Sequence, residues 1–238
     1  MKRILVLQHV ENESPGRLQS VAKKFGAVLD RVELWKSGCR MPDIGQYQGL
    51  IILGGPMGVY ENYSSEAEEL EVIRKADELT IPTMGFCLGS QLIAHYLAAD
   101  VHKNIKDGKH VKEIGYYDVE LTGEAADDPL LKDFSSPLKV LQWHGDAFDL
   151  PEEATLLATA PLCENQAFRI RNMWAFLFHF EFTPDMIRRQ IEVDREWIHK
   201  DFDIVEEEVV AKAEELDGLM DEQCGKLFNN FLSMVKSK

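Results

Sequence analysis

The sequence has no cluster of lysines and arginines, and acidic residues outnumber basic ones. Asp and Glu total 41 against 26 Lys and Arg, which gives a formal net charge of -15 at pH 7. Nucleic acids and anionic membranes bind clustered cationic side chains. We therefore expect neither a nucleic-acid partner nor a membrane partner for this chain.

Cysteine is also scarce, and the cysteines lie far apart. None of the four stands in a C-x-x-C spacing. This arrangement argues against a zinc ribbon and against a disulfide framework. Reduced thiols fit best, so the predicted location is cytoplasmic. The four are Cys39, Cys87, Cys163 and Cys224.

Long apolar runs are absent as well. The first apolar run, from Ile4 to Leu7, is followed at once by polar residues. It is too short for the core of a signal peptide or for a membrane span, and it predicts a first buried strand. No stretch rich in Pro, Gly and Ser divides the chain, which indicates a single core.

The first half alternates short apolar runs with amphipathic stretches, a pattern typical of a parallel sheet covered by helices. Residues 111–181 are richer in strand-like runs, which we expect to extend this sheet or to form a small antiparallel one. Beyond Pro184 the pattern is helical. The predicted fold class is α/β, with a mostly parallel open sheet, added strands and a C-terminal helical extension. Predicted strands are Arg3–Gln8, Val28–Leu34, Leu50–Leu53, Thr83–Phe86, Tyr116–Leu121, Leu138–Trp143, Thr155–Ala160, Ala167–Arg171 and Trp174–Phe182, and predicted helices include Gly16–Phe25 and Ser65–Leu79.

A cysteine framed by glycines is the most informative motif. Gly85-Phe86-Cys87-Leu88-Gly89 follows a strand-like run and leads into a helix-like one. A sharp strand-to-helix turn needs small residues beside the nucleophile and holds it at the carboxyl edge of a sheet. The helix N-terminus favours a thiolate, so we expect the pKa of Cys87 below the unperturbed value of about 8.5. Helical spacing places Gln91 beside the thiol. The alternative is an inert cysteine in a tight turn.

A cysteine nucleophile needs a base and a group that orients the base. In Phe178-His179-Phe180-Glu181-Phe182 the period of two predicts that His179 and Glu181 share one face of a strand. They could instead line a solvated sheet face. A metal site with His144 and Asp146 is a further alternative, although no spacing here matches a zinc signature.

Acyl transfer also needs donors that face the developing oxyanion. Gly54-Gly55-Pro56-Met57-Gly58 follows a predicted strand, and its glycines leave backbone N–H groups open to a ligand. A phosphate loop is the competing interpretation, but neither G-x-x-x-x-G-K-[ST] nor G-x-G-x-x-G is present. This turn lies one βα unit before the cysteine motif, so both loops should open at the same sheet edge.

These motifs, in this order and over nearly the whole chain, resemble a class I glutamine amidotransferase domain. The chain is most similar to free-standing relatives of the guanosine monophosphate synthetase glutaminase. The resemblance implies a flavodoxin-like fold, glutamine or another γ-glutamyl small molecule as substrate, and neither cofactor nor metal. It implies a triad of Cys87, His179 and Glu181, an oxyanion hole at Gly55 and Leu88, and glutamine contacts from Gly54, Gln91, His144, Gly145 and Asp146.

Two departures from the family pattern stand out. The family usually has a proline between the triad histidine and glutamate, where this chain has Phe180. No ATP-pyrophosphatase or other synthetase domain follows the predicted amidotransferase domain, residues 1–190. Residues 191–238 are expected to form a helical extension packed on the same domain.

Three functions are therefore weighed for this chain. The first is a glutaminase that releases ammonia for a separate synthetase partner. The second is a partner-independent hydrolase of γ-glutamyl amides or peptides, and the third is a non-catalytic regulatory subunit. The intact Cys, His and Glu argue against the third. An α/β-hydrolase is disfavoured because Glu181 follows His179, whereas that fold places its acid before the histidine.

Overall fold

The protein is built around one sheet of nine strands. The computed structural model describes residues 1–200 and 202–236. The strands are β1 (Lys2–Gln8), β2 (Ala27–Glu33), β3 (Gly49–Ile52), β4 (Thr83–Phe86), β5 (Val101–Lys103), β6 (Ile105–Lys106), β7 (Lys109–His110), β8 (Glu113–Leu121), β9 (Leu138–His144), β10 (Asp146–Phe148), β11 (Thr155–Thr159), β12 (Ala167–Ile170) and β13 (Met173–Phe176). The helices are α1 (Arg17–Lys24), α2 (Glu66–Glu78), α3 (Leu88–Tyr96), α4 (Pro184–His199), α5 (Glu206–Glu215) and α6 (Asp217–Met234).

The large sheet has a parallel half and an antiparallel half. Its strand order is β2-β1-β3-β4-β13-β12-β11-β8-β9. The neighbours from β2 to β13 pair in parallel, and the neighbours from β13 to β9 pair antiparallel. The added strands therefore extend the same sheet. Strands β5 and β10 form a separate pair, as do β6 and β7.

The parallel half is buried on both faces. In β1, Ile4 and Val6 pack in one apolar cluster, while Leu5 and Leu7 pack in another. Successive side chains of a strand point to opposite faces, so a continuous apolar run is suited to a sheet covered on both sides. This packing confirms the predicted α/β class.

The last predicted strand is too long. β13 ends at Phe176, whereas the strand was predicted to continue to Phe182. Phe176 pairs with Phe86, the last residue of β4. Beyond this pair β13 has no partner on β4, because β4 ends and the chain enters the cysteine turn. The chain then bends, and His179 keeps a single bridge, to Leu141.

The C-terminal helices pack against the sheet domain. Ile187 and Ile191 of α4 lie in a cluster with Trp143, and Phe228 and Phe231 of α6 lie in the main core. Helix α4 runs through residue 190. The division of the chain into residues 1–190 and 191–238 stays a prediction. Within residues 1–200 and 202–236, no helix is both long and apolar enough to cross a membrane.

Candidate active site

Cys87 stands in a strained turn between β4 and α3. Its φ is 48°, in the left-handed region that non-glycine residues rarely adopt. The flanking glycines permit close approach of the backbone. A Cβ on Gly85 would lie 2.4 Å from the carbonyl oxygen of Gly89, and one on Gly89 would lie 2.2 Å from that of Ile52. The motif thus folds as the strand-to-helix elbow that the sequence predicts.

His179 and Glu181 form a buried hydrogen-bonded pair. His179 Nδ1 lies 2.7 Å from Glu181 Oε1, and both side chains are almost fully buried. The His179 backbone N–H donates to the carbonyl of Leu141 at 2.9 Å, which anchors the bend. The pairing predicted from strand alternation is therefore present, although the segment is not a strand.

Phe180 fits its environment despite the departure from proline. Its ring is buried among Phe86, Phe176 and Phe178. Its backbone N–H donates to Glu181 Oε2 at 3.0 Å, a bond that proline cannot make. Each carboxylate oxygen of Glu181 thus has its own donor.

The Cys87 thiol interacts with the His179 ring. Burial raises the pKa of Cys87, although His179 and the Leu88 N–H act in the opposite direction. The predicted lowering is therefore wrong, because desolvation of the thiolate outweighs the helix N-terminus. Burial alone would lower the pKa of His179, but the Glu181 carboxylate at 2.7 Å and Cys87 raise it well above its ordinary value. Because the Glu181 carboxylate lies so close, the net effect on the pKa of His179 is a rise, and the imidazolium form is favoured.

The glycine turn lies against the cysteine. A Cβ on Gly54 would lie 3.4 Å from Cys87 Cβ and 3.2 Å from His179 Cε1. One on Gly55 would lie 3.0 Å from Leu88 Cδ2. Both loops therefore meet at the carboxyl edge of the parallel strands, as predicted.

One cavity of about 190 Å³ brings most of the predicted site together. Side chains from the cysteine turn, the glycine turn and the segment after β9 line it. Gly54, Leu88 and His179 lie outside this lining but next to Cys87 or Gly55, and Glu181 is joined to the site through His179. The predicted residues in the lining are Gly55, Cys87, Gln91, His144, Gly145 and Asp146.

Two of the predicted glutamine contacts already have protein partners. His144 Nδ1 lies 2.9 Å from the backbone carbonyl of Asp146, and its Nε2 lies 3.2 Å from Glu113. The Asp146 carboxylate accepts from Tyr60 Oη at 2.6 Å and from Lys103 Nζ at 2.8 Å. Lys103 also lines the cavity. Asp146 and Lys103 thus present one charge of each sign to a ligand.

Besides Lys103, three polar residues in the lining were not predicted. Glu13 follows β1, and Gln190 and Asp194 lie one turn apart on α4. Burial raises the pKa of Glu13 to about 7. The rule that sites form at the carboxyl ends of parallel strands could have identified Glu13, because its loop leaves β1 at that edge. No sequence pattern marks the two α4 residues, whose place depends on how the helix packs.

The metal alternative has no support in the geometry. Within residues 1–200 and 202–236, no three His, Cys, Asp or Glu side chains are grouped so that they could hold a metal ion. His144 and His179 instead face separate carboxylates, Glu113 and Glu181.

Sequence comparison identifies relatives of this chain. The glutamine amidotransferase class-I family matches residues 18–197. A glutamine amidotransferase-like protein of Salmonella typhimurium, YfeJ, is 30% identical over 196 residues, which are 80% of each chain. A glutamine-hydrolysing GMP synthase of Wolbachia pipientis is 28% identical over 174 residues, which are 70% of this chain and 32% of the synthase.

Solved structures agree with the sequence comparison. A glutamine amidotransferase of Thermotoga maritima superposes with a TM-score of 0.88 at 30% identity and covers 99% of both chains. One of Methylobacillus flagellatus shares the fold, with a TM-score of 0.87 at 20% identity over 100% of this chain and 97% of that one. The protein is therefore an enzyme of the cysteine amidotransferase type and belongs to the class I glutamine amidotransferase family.

Proposed function

We propose that this enzyme hydrolyses the γ-amide of glutamine through a γ-glutamyl thioester on Cys87. The observation that carries the proposal is the strained Cys87 at the start of α3, beside a histidine whose Nδ1 lies 2.7 Å from Glu181. A nucleophile, a base and an orienting acid are the parts that covalent acyl transfer requires.

In the first half-reaction, the Cys87 thiol gives its proton to His179, and Sγ bonds to the γ-carbonyl carbon. The backbone N–H groups of Gly55 and Leu88 stabilise the oxyanion. The carbon–nitrogen bond then breaks, and the His179 imidazolium gives its proton to the departing nitrogen. Ammonia leaves, and the γ-glutamyl group remains on sulfur as a thioester.

In the second half-reaction, neutral His179 takes a proton from water, whose oxygen attacks the thioester carbonyl. The carbon–sulfur bond breaks, glutamate is released, and the Cys87–His179 pair is restored with the one proton it began with. Glu181 holds the ring in one tautomer and stabilises its charged form, as the third member of a triad does. Glutamate and ammonia are the two products.

A separate synthetase partner is proposed as the consumer of the ammonia. The similarity to a glutamine-hydrolysing GMP synthase, of which the matched residues are 32%, supports this proposal. A glutaminase of this kind should be slow alone and faster with its partner, because such sites often complete themselves on docking.

A second candidate is a partner-independent hydrolase of γ-glutamyl amides with larger leaving amines. The acyl chemistry at Cys87 is the same. The polar wall of Glu13, Gln190 and Asp194 in the cavity favours this candidate, because ammonia has no further groups for such a wall to bind.

The test is release of glutamate by the purified chain from glutamine and from γ-glutamyl alkylamides. Cys87→Ala should abolish release from all of them, while Cys39→Ala, the matched control, should retain it. Equal release by wild type and Cys87→Ala would overturn the proposal. Efficient cleavage of the larger amides without any partner would favour the second candidate.

A further inference from the structure

The Glu13 carboxyl is a buried acid that faces the cavity with one oxygen unsatisfied. The residue is 6% exposed. Its Oε1 accepts from Gln190 Nε2 at 3.2 Å, whereas Oε2 has no hydrogen-bond partner within residues 1–200 and 202–236. Because Glu13 lines the cavity, a ligand that enters the cavity can supply the donor that this oxygen lacks.

Glu13 lies on the leaving-group side of Cys87. Both Glu13 and His179 pack against Gly54. A Cβ added to Gly54 would lie 2.2 Å from Glu13 Oε2 and 3.2 Å from His179 Cε1. Because His179 gives its proton to the departing nitrogen, a carboxyl beside this ring faces the amine that leaves. Because glycine has no Cβ, the Glu13 carboxyl can pack directly against the Gly54 backbone.

Asp194 adds a second carboxyl to this side. Its Oδ2 accepts from Gln190 Nε2 at 2.7 Å and from Trp143 Nε1 at 2.9 Å. Neither Glu13 nor Asp194 forms an ion pair with a lysine or arginine in the described part of the chain. Burial raises the pKa of Glu13 and the Asp194 carboxylate adds to this rise, while His179 acts in the opposite direction. A cation bound near both acids would therefore be stabilised. The indole rings of Trp143 and Trp197 line the cavity next to them.

The cavity lining also holds a charge pair that matches an amino acid. Lys103 and Asp146, 2.8 Å apart, present a cation and an anion. A γ-glutamyl group carries an α-carboxylate and an α-ammonium, which fit such a pair. Glu13 and Asp194, which form no ion pair with a lysine or arginine in the described residues, are therefore left for the other part of the substrate.

We propose that Glu13 and Asp194 form a leaving-group subsite for γ-glutamyl amides whose leaving amine carries a second, protonated amino group. The proposal rests on the Cys87 acyl chemistry above and names the amine for its second candidate. Glu13 Oε2 accepts from the distal ammonium, Asp194 compensates the remaining charge, and the indoles flank the methylenes between the two nitrogens.

The kinetic test uses two γ-glutamyl amides of equal length, one ending in an ammonium and one in a methyl group. Wild type should cleave the cationic amide with a kcat/KM about tenfold or more above the neutral one, and Glu13→Gln should bring this ratio to within about twofold of one. Asp194→Asn should lower the ratio partly. Exposed Glu11, in the same loop, is the matched control, and Glu11→Gln should keep the wild-type ratio.

An equal loss on both amides in Glu13→Gln would overturn the proposal, because it would assign Glu13 to the shared γ-glutamyl group. Calorimetry on the Cys87→Ala protein separates this proposal from the proposed function. Tighter binding of the cationic amide, lost in Cys87→Ala with Glu13→Gln, supports the subsite even if no amide is hydrolysed. Equal binding of the two amides overturns it even if glutamine is a substrate.

Discussion

His9 holds the peptide between Gly54 and Gly55 in place. Its Nδ1 lies 3.0 Å from the Gly54 carbonyl, which can only accept, so this nitrogen carries a proton. Its Nε2 lies 2.7 Å from Glu69, and both side chains are fully buried. The Gly54 C=O and the Gly55 N–H belong to one planar trans peptide and point in opposite directions. His9 therefore also fixes the direction of the Gly55 N–H, the proposed oxyanion donor.

The first prediction follows from this peptide orientation. Glu69→Gln and His9→Gln should lower kcat by about 10- to 100-fold with little change in KM, less than the loss of a whole oxyanion donor. Steady-state kinetics on glutamine would measure this. Alkylation of Cys87 by iodoacetamide forms no oxyanion, so its rate should stay near that of wild type.

The control for this prediction is His95→Gln. His95 is exposed and lies 3.7 Å from Glu66, away from the glycine turn. It should leave kcat unchanged. A KM effect in the His9 and Glu69 variants with unchanged kcat would contradict the oxyanion argument.

The second prediction concerns the cysteines. A γ-glutamyl electrophile should label Cys87 alone, because only this thiol lies in the cavity beside a histidine. Cys163 and Cys224 do not line the cavity, and burial raises the pKa of Cys163 to about 12 and also that of Cys224, with no histidine acting against it, so both should be inert. Peptide mapping after labelling decides it. Cys39 is half-exposed and is the control; its modification with Cys87 untouched would overturn the assignment.

Local patterns predicted the parallel half of the sheet well. β4 has the predicted bounds, and the predicted start of β1 and β2 differs from the structure by one residue. Strands β5, β6, β7 and β10 were missed because two or three residues carry too little pattern.

The residues of the candidate site that are close in sequence were predicted, and those that only packing brings together were missed. The Cys87 turn and the His179–Glu181 pair are local in sequence. His9 and Glu69, in contrast, are sixty residues apart, and Gln190 reaches Glu13 across 177 residues. Such contacts arise only when the β1 loop, α2 and α4 are folded together. The pKa direction for Cys87 was wrong because burial cannot be read from a motif.

The third prediction orders the triad variants. His179→Ala should lose about 10⁴-fold or more in kcat, nearly as much as Cys87→Ala, because triad members act as a unit. Glu181→Gln should lose roughly 10- to 100-fold less, since it keeps the place of the side chain. Rates on one substrate test the order. If a His144 or Asp146 variant is inactive while His179→Ala remains active, His179 is not the catalytic histidine.

The fourth prediction is a pH dependence of stability. Burial raises the pKa of Glu13 from 4.5 to about 7. Between these values the folded chain keeps a proton that the unfolded chain has lost, so the free energy of unfolding falls as pH rises from 4.5 to 7. The Glu13→Gln protein has no carboxyl at this position, so this pH dependence of the free energy of unfolding is absent from it. Relative to it, wild type should lose about 3 kcal/mol between pH 4.5 and 8, at roughly 1.4 kcal/mol per pH unit.

Urea unfolding of both proteins at pH 5 and pH 8 measures this difference. All other groups titrate in both proteins, so their effects cancel in the comparison. Glu11→Gln, on the exposed part of the same loop, should follow wild type at both pH values. Parallel curves for wild type and Glu13→Gln would mean that Glu13 is not a buried acid.

The thioester on Cys87 is the central claim, and acid-quenched mass spectrometry tests it most directly. Wild-type protein mixed with glutamine or with a γ-glutamyl amide should gain the mass of one γ-glutamyl group, and peptide mapping should place it on Cys87. Glu181→Gln should accumulate more of it, because weakened His179 slows hydrolysis of the thioester. Glutamate release without any adduct in wild type, and undiminished in Cys87→Ala, would contradict the account.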